Sequence, residues 1–463
     1  MNNVLPKLID THAHLDNPQF SADLHQVLSA ARVAGVAEIV TIGCDLESSA
    51  TSVKLATEHD DIYASVGIHP HNGEEASEAA IDTLRRLARN DKVVAVGETG
   101  LDYFRGHCSR QVQQQAFRRQ ITLAKQVGLP LIVHDRDAHE DVLRILCEEK
   151  AHQVGGVLHC FSGDLSMARA CIEMGFYLSF PGTLTYPSNQ DLRDIAAAIS
   201  MDHILLETDC PYLAPQSRRG RRNEPAFLGE TAEELARIKG LSTADIARIT
   251  RLNTHRLFGI GPVEQPSRIA YPIRNSLYLN ITNRCSNRCT FCGKFKDFTV
   301  KGHALKLERE PTAQEVIEAM GDIRPYREIV FCGYGEPLLR LDLVKEVARW
   351  LKQQGARVRV NTDGQARLVH KRNILPELSG LVDAISVSLN AADASSYQRV
   401  CQSQFGMQGY EAVKEFIREA KNHIPSVTAS VVTLPEIDVE ACRKIVEEEL
   451  EVNFLVRYYN EVG

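Results

Sequence analysis

The stretch Val93–Tyr103, VVAVGETGLDY, carries the pattern that decides the fold. Four aliphatic residues in succession are typical of a strand buried on both faces, and they lead directly into polar residues that include Glu98. An amphipathic, helix-like stretch, Gln111–Val127, follows. The segment therefore predicts a strand of a parallel sheet and its crossover helix, with a carboxylate at the C-terminal end of the strand.

The same arrangement recurs throughout the first ~260 residues, a length typical of one barrel domain. The predicted strands are Lys7–Thr11, Ile39–Ile42, Ile62–Val66, Val93–Val96, Leu131–Val133, Gly156–Leu158, Phe176–Phe180 and His203–Leu206. Helical stretches such as Asp191–Ile199 lie between them, and a helix-rich segment, Gly229–Gly259, comes after the last one. Eight such units indicate a closed (β/α)8 TIM barrel in residues 1–260.

A second run of strands and helices begins after IGPVEQPSRIAYPI, whose three prolines and weak periodicity predict a linker at residues 261–274. The predicted strands of this run are Leu277–Ile281, Glu328–Phe331, Arg357–Val360, Ala384–Ser388, Ser426–Val432 and Asn453–Val456. Helices are expected at Ala313–Met320 and Leu343–Gln354. Six βα units cannot repeat the eight-strand closure, so we predict an open, partial (β/α)6 barrel in residues 275–463.

The composition is that of a soluble globular protein, with 44% apolar and 24% charged residues among 463. The sequence contains no apolar run of the roughly 18 residues that a membrane span needs, and no signal peptide, so we expect a cytoplasmic protein with no membrane partner. Its 12 cysteines should then be reduced, buried or metal-bound. A net charge of −7 argues against a broad nucleic-acid surface, and the one sharp basic cluster is RRGRR at residues 218–222.

Side chains able to bind a metal follow five of the eight N-terminal strands. They are His12, His14, Glu98, His134, His159 and Asp209. In an α/β barrel these strand ends meet at one rim, and imidazole mixed with carboxylate suits zinc, manganese or magnesium. Six ligands exceed one tetrahedral site, so we expect two ions bridged by a carboxylate. Such a pair would activate a water for hydrolysis, with Asp209 orienting the water or accepting its proton.

These residues lie in motifs that resemble the TatD-type metal-dependent deoxyribonucleases from about Lys7 to Gly259. The motifs are DTHAHLD, GIHPH, VGETGLDY, LHCFSG, LLETDCPYLAP and RGRRNEPAFL. The resemblance implies a hydrolase that cuts phosphodiesters, with Glu98 and Asp209 as its catalytic carboxylates. It implies that one ion is held by His12, His14, Glu98 and Asp209, and the other by Glu98, His134 and His159. It places His69, His71 and Arg105 on the substrate side, and Arg219, Arg221, Arg222 and Asn223 near phosphate.

The second run of strands opens with NRCSNRCTFCGKF, residues 283–295, in which three cysteines follow the pattern Cys-x3-Cys-x2-Cys. These cysteines are Cys285, Cys289 and Cys292. A zinc site or an ordinary all-cysteine cluster would need a fourth ligand, for which Cys332 at the end of the next strand is the best placed. Three thiolates on a [4Fe–4S] cluster would instead leave one iron open to an external ligand.

This pattern, with Phe291 before the third cysteine, resembles the radical S-adenosylmethionine (radical SAM) superfamily from about Asn275 to Gly463. GYGEP at residues 333–337 is similar to the superfamily's Gly-Gly-Glu-Pro, although Tyr334 replaces a glycine. The resemblance implies that the open iron chelates S-adenosylmethionine, whose reductive cleavage by an electron donor yields a 5′-deoxyadenosyl radical. The S-adenosylmethionine contacts that it implies are Phe291, Tyr334, Gly335, Glu336, Asp363, Ser388 and Asn390.

The order of the two parts resembles TatD-associated radical SAM fusions and indicates a bifunctional enzyme. We expect DNA or a nucleotide as the substrate of the first part and an electron donor as a partner of the second. Three alternatives stay open at this point. The first part could hydrolyse an amide or another ester, the second could be an activase that installs a radical on a partner protein, or the cysteine loop could be a structural metal clip in a nucleic-acid-binding module.

Overall fold

The computed structural model describes residues 7–261 and 267–459. The chain divides into two units, residues 1–263 and 264–463, and each contains its own apolar core. The boundary falls inside the predicted linker, of which residues 262–266 lie outside the described residues.

The first unit is built on a parallel sheet in which the strands follow one another in chain order. They are β1 (Leu8–Ala13), β2 (Val36–Thr41), β3 (Ile62–Val66), β4 (Val93–Asp102), β5 (Leu131–Arg136), β6 (Gly156–Leu158), β7 (Phe176–Phe180) and β8 (Ile204–Leu206). The helices are α1 (Leu24–Val33), α2 (Leu46–Glu58), α3 (Glu78–Leu87), α4 (Arg110–Val127), α5 (His139–Glu148), α6 (Leu165–Glu173), α7 (Gln190–Ala198), α8 (Leu228–Lys239) and α9 (Thr243–Phe258). The predicted eight-strand α/β barrel is confirmed.

The two ends of this sheet meet just beyond β8. Ala13 pairs with Cys210 in a parallel bridge, Asp209 N donates to the His12 carbonyl at 2.9 Å, and His14 N donates to the Cys210 carbonyl at 2.8 Å. The seam between first and last strand is therefore joined at the C-terminal rim, where the predicted ligands lie.

Three strands extend further than the apolar runs predict. β1 includes His12, β4 continues to Asp102 and so includes Glu98, and β5 includes His134. All ten residues of β4 are buried. The apolar runs underestimate the length of these strands because polar side chains near the strand ends point into the centre of the rim instead of into an apolar core.

The helices after β8 are fastened to the barrel by Asn253 of α9. Its Nδ2 donates to the Met201 carbonyl at 2.7 Å and to the Ile204 carbonyl at 2.8 Å, and the side chain is fully buried. We expect Asn253→Ala to lower the free energy of unfolding of this unit by about 2–4 kcal/mol, because two buried carbonyls lose their donor. Urea unfolding measures this, with Ala244→Ser on the exposed face of α9 as the control; equal stability of the two variants would contradict the assignment.

The second unit contains a seven-stranded mixed sheet in the order β17-β16-β15-β14-β13-β10-β9 and a separate two-stranded hairpin. The strands are β9 (Ala270–Ile273), β10 (Ser276–Leu279), β11 (Thr299–Val300), β12 (His303–Ala304), β13 (Glu328–Phe331), β14 (Val358–Thr362), β15 (Ala384–Ser388), β16 (Ser426–Thr433) and β17 (Asn453–Tyr458). The helices are α10 (Ala313–Met320), α11 (Leu341–Gln353), α12 (Ala366–His370), α13 (Leu375–Leu378), α14 (Ala394–Cys401), α15 (Gln408–Ala420) and α16 (Val439–Lys444).

The six predicted strands of the partial barrel are all present and parallel, but a seventh precedes them. β9 lies within the predicted linker and pairs antiparallel with β10 at one edge of the sheet. Its Tyr271 is buried, and Pro272 is tolerated because an edge strand need not donate on its outer side. Because of the prolines in this segment, the edge strand was predicted to be part of a linker.

Among the described residues, we find no helix that combines the length and apolar character of a membrane span.

Candidate active sites

Two histidines of the β1 end and an aspartate beyond β8 meet at one point of the first unit's rim. His14 Nε2 lies 3.2 Å from Asp209 Oδ1, and His12 Nε2 lies 3.7 Å from the same oxygen. Both rings reach this point because alternate residues of a strand share a face. Donor atoms bound to one ion at about 2.1 Å lie roughly 3–4 Å apart, which is the spacing found here.

Glu98 joins this group to a second one. Its Oε2 lies 3.4 Å from His12 Nε2 and 3.9 Å from His14 Nε2. Its Oε1 lies 2.7 Å from His134 Nδ1 and 2.8 Å from His159 Nε2. One carboxylate thus turns each oxygen toward a different pair of ring nitrogens, which is the arrangement needed to bridge two ions.

The surroundings of His12 fit a metal ligand. The ring is fully buried, and neither ring nitrogen has a hydrogen-bond partner among residues 7–261. Burial lowers the pKa of His12 to about 4, so the ring is neutral near pH 7 and retains a lone pair. Buried polar atoms normally have partners, and an ion bound by Nε2 would supply one. The donors around Glu98 therefore fit divalent ions of the hard or borderline kind.

The two carboxylates at the centre are ionised. Burial alone would raise the pKa of Glu98, but the charges of His159 and His69 hold it well below its ordinary value. Burial opposes the charge of Asp209 as well, and the hydrogen bond and charge of His14 lower its pKa. Both groups are thus in the form that binds a metal.

A layer of buried carboxylates behind the ligands was missed by the sequence analysis. Asp102 Oδ2 lies 2.8 Å from His71 Nε2 and 3.4 Å from His134 Nε2. Glu207 accepts a hydrogen bond from Cys160 N at 2.5 Å and lies 3.8 Å from His159 Nδ1. Carboxylates placed behind histidine ligands fix which ring nitrogen faces the metal. Asp102 and Glu207 lie in the motifs VGETGLDY and LLETDCPYLAP, in which the sequence pattern favoured Glu98 and Asp209 as the ligands.

The position of Asp102 leads to a prediction. We expect Asp102→Asn to weaken the binding of one divalent ion by about 10- to 100-fold, because an amide supports the orientation and basicity of His134 less well. Competition with a fluorescent zinc chelator measures the affinity directly. Asp82→Asn on the exposed face of α3 is the matched control. Equal zinc affinities for the two variants would contradict the assignment of Asp102 as the residue that supports His134.

Cys44 also lies beside the ligands, although no sequence pattern marked it. Its Sγ is 3.6 Å from Glu98 Oε2 and 3.8 Å from His14 Nδ1. Burial raises the pKa of this thiol to about 12. The thiol therefore contributes a neutral side chain to the wall of the site unless a metal draws its proton.

Some of the residues predicted on the substrate side have partners inside the protein, and others are exposed. His69 lies among the candidate ligands, since its Nε2 is 3.4 Å from Glu98 Oε1, and His71 is held by Asp102. Arg105 is exposed at the rim. In the basic loop, Arg222 is paired with Asp23 at 2.7 Å and with Glu224 at 2.9 Å, and it packs over the Phe20 ring.

Among the remaining residues of this loop, some side chains also have partners inside the protein and others are exposed. Arg219 lies over the Tyr186 ring at 4.9 Å, and Arg221 is exposed. Asn223 Nδ2 donates to the Thr208 carbonyl at 2.8 Å and to the Tyr212 carbonyl, so it supports the segment beyond β8. Arg222 and Asn223 thus have internal partners, whereas the exposed arginines of the loop are the better placed for a ligand.

Most of the candidate ligands line a cleft of about 1110 Å³. Its lining includes His14, His69, Glu98, His134, His159 and Asp209.

Residues 9–259 match the family model described as TatD related DNase. This chain belongs to the TatD family. Over 253 residues it is 43% identical to the uncharacterized metal-dependent hydrolase YabD of Bacillus subtilis, covering 55% of this chain and 99% of that one. It is 35% identical to the 3′–5′ ssDNA/RNA exonuclease TatD of Klebsiella pneumoniae over 55% of this chain and 98% of that one. The solved structure of the TatD homologue YJJV from Escherichia coli is 33% identical and superposes with a TM-score of 0.52, over 55% of this chain and 98% of that one.

Beyond the TatD domain, the three cysteines of the loop after β10 are each partly buried. None of the cysteines in the described residues forms a disulfide. Burial raises the pKa of Cys285 and Cys292, and the charge of Cys289 adds to the effect on both. The nearby Asp363 and Glu336 carboxylates raise the pKa of Cys285 further. Three such thiols fit a metal or iron–sulfur cluster, which binds them in the deprotonated form.

Two of the residues predicted to bind S-adenosylmethionine lie against this loop. Asp363 Oδ2 is 3.9 Å from Cys285 Sγ, and Asp363 N donates to Glu336 Oε2 at 2.6 Å. Glu336 Oε1 accepts further hydrogen bonds from Leu338 N and Thr362 Oγ1, both at 2.9 Å. The ends of β13 and β14 therefore bring two buried carboxylates to the cysteine loop.

Gly335 explains how the GYGEP segment comes so close. A Cβ at this position would lie 2.1 Å from the Thr282 carbonyl oxygen and 2.6 Å from that of Arg284, so only glycine fits. Tyr334, which replaces a glycine of the motif, donates through its hydroxyl to the Thr299 carbonyl at 2.5 Å. The tyrosine thus contacts the segment that follows the cysteines.

The remaining predicted contacts lie one strand further along or in the loop itself. Ser388 accepts a hydrogen bond from Arg457 at 3.3 Å, and Asn390 Nδ2 donates to Cys401 Sγ at 3.8 Å. Phe291 is partly buried against the core of this unit. Cys401 raises the pKa of the Cys289 thiol, so Cys401 is a fourth cysteine close to the loop.

Residues 279–448 match the model of the Radical SAM superfamily. The chain therefore joins a TatD domain to a radical SAM domain, and both are families of enzymes.

Proposed function

We propose that the TatD domain hydrolyses phosphodiester bonds of nucleic-acid strands with two divalent ions held on either side of Glu98. The observation that carries this proposal is the division of the Glu98 carboxylate between two sets of ring nitrogens, at 3.4 and 3.9 Å from one oxygen and 2.7 and 2.8 Å from the other. The relative named as a single-stranded DNA and RNA exonuclease supports the choice of substrate class.

The side chains of this chain have distinct parts in such a reaction. A bound metal pair would lower the pKa of a water and offset the charge that develops on phosphate. His12, His14 and Asp209 would hold one ion, His134, His159 and His69 the other, and Glu98 would contact both. Asp209 faces the cleft and is ionised, so it can also orient the attacking water and accept its proton.

The experiment compares substrates across metals. The purified full chain is incubated with single-stranded DNA, and separately with amide and carboxylic-ester substrates, in the presence of Mg²⁺, Mn²⁺ or Zn²⁺. We expect nucleotide release with at least one ion and none after chelation. Hydrolysis of the amides or esters without nucleotide release would overturn the phosphodiester proposal and favour the alternative hydrolase.

We also propose that the second domain binds a [4Fe–4S] cluster through Cys285, Cys289 and Cys292 and cleaves S-adenosylmethionine reductively. Three thiols in one loop, with the carboxylates of Glu336 and Asp363 beside them, carry this proposal. When bound, the cluster would supply the electron that breaks the sulfonium bond, and an external electron donor must restore that electron. We propose that Glu336, a buried carboxyl group close to the loop, receives the amino group of S-adenosylmethionine.

The test is anaerobic reconstitution with iron and sulfide, reduction with dithionite, and addition of S-adenosylmethionine. We expect formation of 5′-deoxyadenosine, measured by liquid chromatography. An intact, reducible cluster that yields none would contradict the proposal.

A further inference from the structure

Two aromatic side chains stand exposed beside the cleft of the TatD domain. Among residues 7–261, the large apolar side chains left exposed are Val33, Phe104 and Tyr212, and Phe104 and Tyr212 are 57% and 50% exposed. Val33 ends α1, whereas the other two follow β4 and β8 at the rim that carries the metal ligands. Isolated exposed apolar residues are ordinary, but two aromatic rings beside one catalytic cleft suggest a ligand that has flat faces.

The rings lie on opposite sides of the ligand cluster. In a barrel whose eight strands follow chain order, β4 and β8 are diametrically placed. Tyr212 lines the cleft, and its ring centroid is 5.9 Å from that of His14. Phe104 comes two residues after Asp102, which contacts His134 on the other side of Glu98. Tyr212 thus stands next to one half of the candidate metal site, and Phe104 follows in sequence a carboxylate beside the other half.

Guanidinium groups accompany Phe104. Arg136 Cζ lies 4.1 Å from the centroid of the Phe104 ring and Arg105 Cζ lies 5.8 Å from it, and both arginines line the cleft. No carboxylate in the described part of this domain pairs with either guanidinium. A phenyl ring stacked with an arginine forms a continuous flat surface, and the arginine also attracts phosphate.

Tyr212 is fixed in position at its hydroxyl end. Asn17 Nδ2 donates to the Tyr212 hydroxyl oxygen at 3.1 Å, and both residues line the cleft. The hydrogen bond limits rotation of the ring while half of the side chain stays exposed. A positioned, exposed ring is suited to stacking because little freedom is lost when a base binds.

We propose that Phe104 and Tyr212 stack the bases of the nucleotides on either side of the phosphate that the metal site hydrolyses, and that Arg105 and Arg136 contact the phosphates beside Phe104. The inference rests on the proposed nuclease function and specifies its substrate. Stacking needs bases with a free face, which a duplex does not offer, so the substrate class is an unpaired strand with at least one nucleotide on each side of the cut. Because every base has an aromatic face, we expect little sequence preference.

The test uses the metal-loaded full chain and two single strands of equal length. One strand has all its bases, and the other carries tetrahydrofuran in place of the nucleosides that flank the labelled cut site. Phe104→Ala and Tyr212→Ala are compared with Phe104→Tyr and Tyr212→Phe, which keep the ring. We expect each alanine variant to raise KM for the complete strand about tenfold, while the ring-preserving variants stay near wild type. On the strand without bases, wild type and alanine variants should behave alike.

A binding measurement separates stacking from catalysis. With metal removed by chelation, quenching of 2-aminopurine placed next to the cut site should be strong in wild type and weaker in both alanine variants. Wild-type KM values for the alanine variants, or equal losses on both strands, would overturn the stacking proposal and leave the nuclease function standing. If the wild-type chain cuts neither strand with any metal, the proposed function itself has failed.

Discussion

Glu98→Gln is expected to abolish hydrolysis by the TatD domain, with a loss of at least about 10³-fold in kcat/KM. Glutamine keeps the size of the side chain but removes the charge that lies between four ring nitrogens. The metal pair contributes several kcal/mol of charge stabilisation, and each 1.4 kcal/mol corresponds to a factor of ten in rate. Nucleotide release from single-stranded DNA and the metal content of the dialysed protein measure the two consequences together.

The control for this variant is Glu230→Gln, which removes the charge of a partly exposed residue of α8 that pairs with Arg218. It should retain wild-type activity and metal content. Because each unit has its own core, Glu98→Gln should also leave the cleavage of S-adenosylmethionine unchanged. A Glu98→Gln protein that hydrolyses DNA within tenfold of wild type would show that Glu98 does not bridge the ions.

Replacing the three loop cysteines is expected to remove iron and all formation of 5′-deoxyadenosine. In Cys285→Ala/Cys289→Ala/Cys292→Ala no thiolate of the loop can hold a cluster, so the loss should be complete instead of partial. Hydrolysis by the TatD domain should persist at the wild-type rate. Iron and labile sulfide are measured after anaerobic reconstitution, and 5′-deoxyadenosine after reduction.

Cys401→Ala gives this experiment its sharpest control. Cys401 lies close to Cys289 and is therefore a candidate to complete a four-thiolate zinc site. If three cysteines hold the cluster and the remaining iron binds S-adenosylmethionine, Cys401→Ala retains both iron and activity. If Cys401→Ala loses its metal as completely as the triple variant, the site is a four-cysteine site and the radical proposal fails.

The strands of both sheets could be predicted because buried parallel strands produce short aliphatic runs. Glu328–Phe331 and Ala384–Ser388 have the predicted boundaries. β9 could not be predicted, since an edge strand with a proline and one neighbour has no such run. The ends of β4 and β5 were placed too early, because polar residues that follow the aliphatic runs still belong to the strands.

The ligand candidates could be proposed from the sequence because histidine and carboxylate at strand ends have no role in an apolar core. Asp102 and Glu207 could not be identified from the sequence because the histidines that they approach, His134 and His159, come from other strands far along the chain. The proximity of Cys401 to Cys289 is of the same kind, since α14 delivers Cys401 from more than a hundred residues away. The internal ion pairs of Arg222 were equally hidden, as basic residues next to glycine resemble a phosphate-binding loop.

Both proposed functions require a divalent-metal hydrolase site and an iron–sulfur site in one chain. Analysis of iron, labile sulfide, zinc, manganese and magnesium in one anaerobically prepared sample of the full chain tests this requirement most directly. We expect about four irons and about four sulfides per chain together with about two other divalent ions. Zinc at the cysteine loop with no labile sulfide, or a chain that binds no divalent ion besides iron, would contradict it.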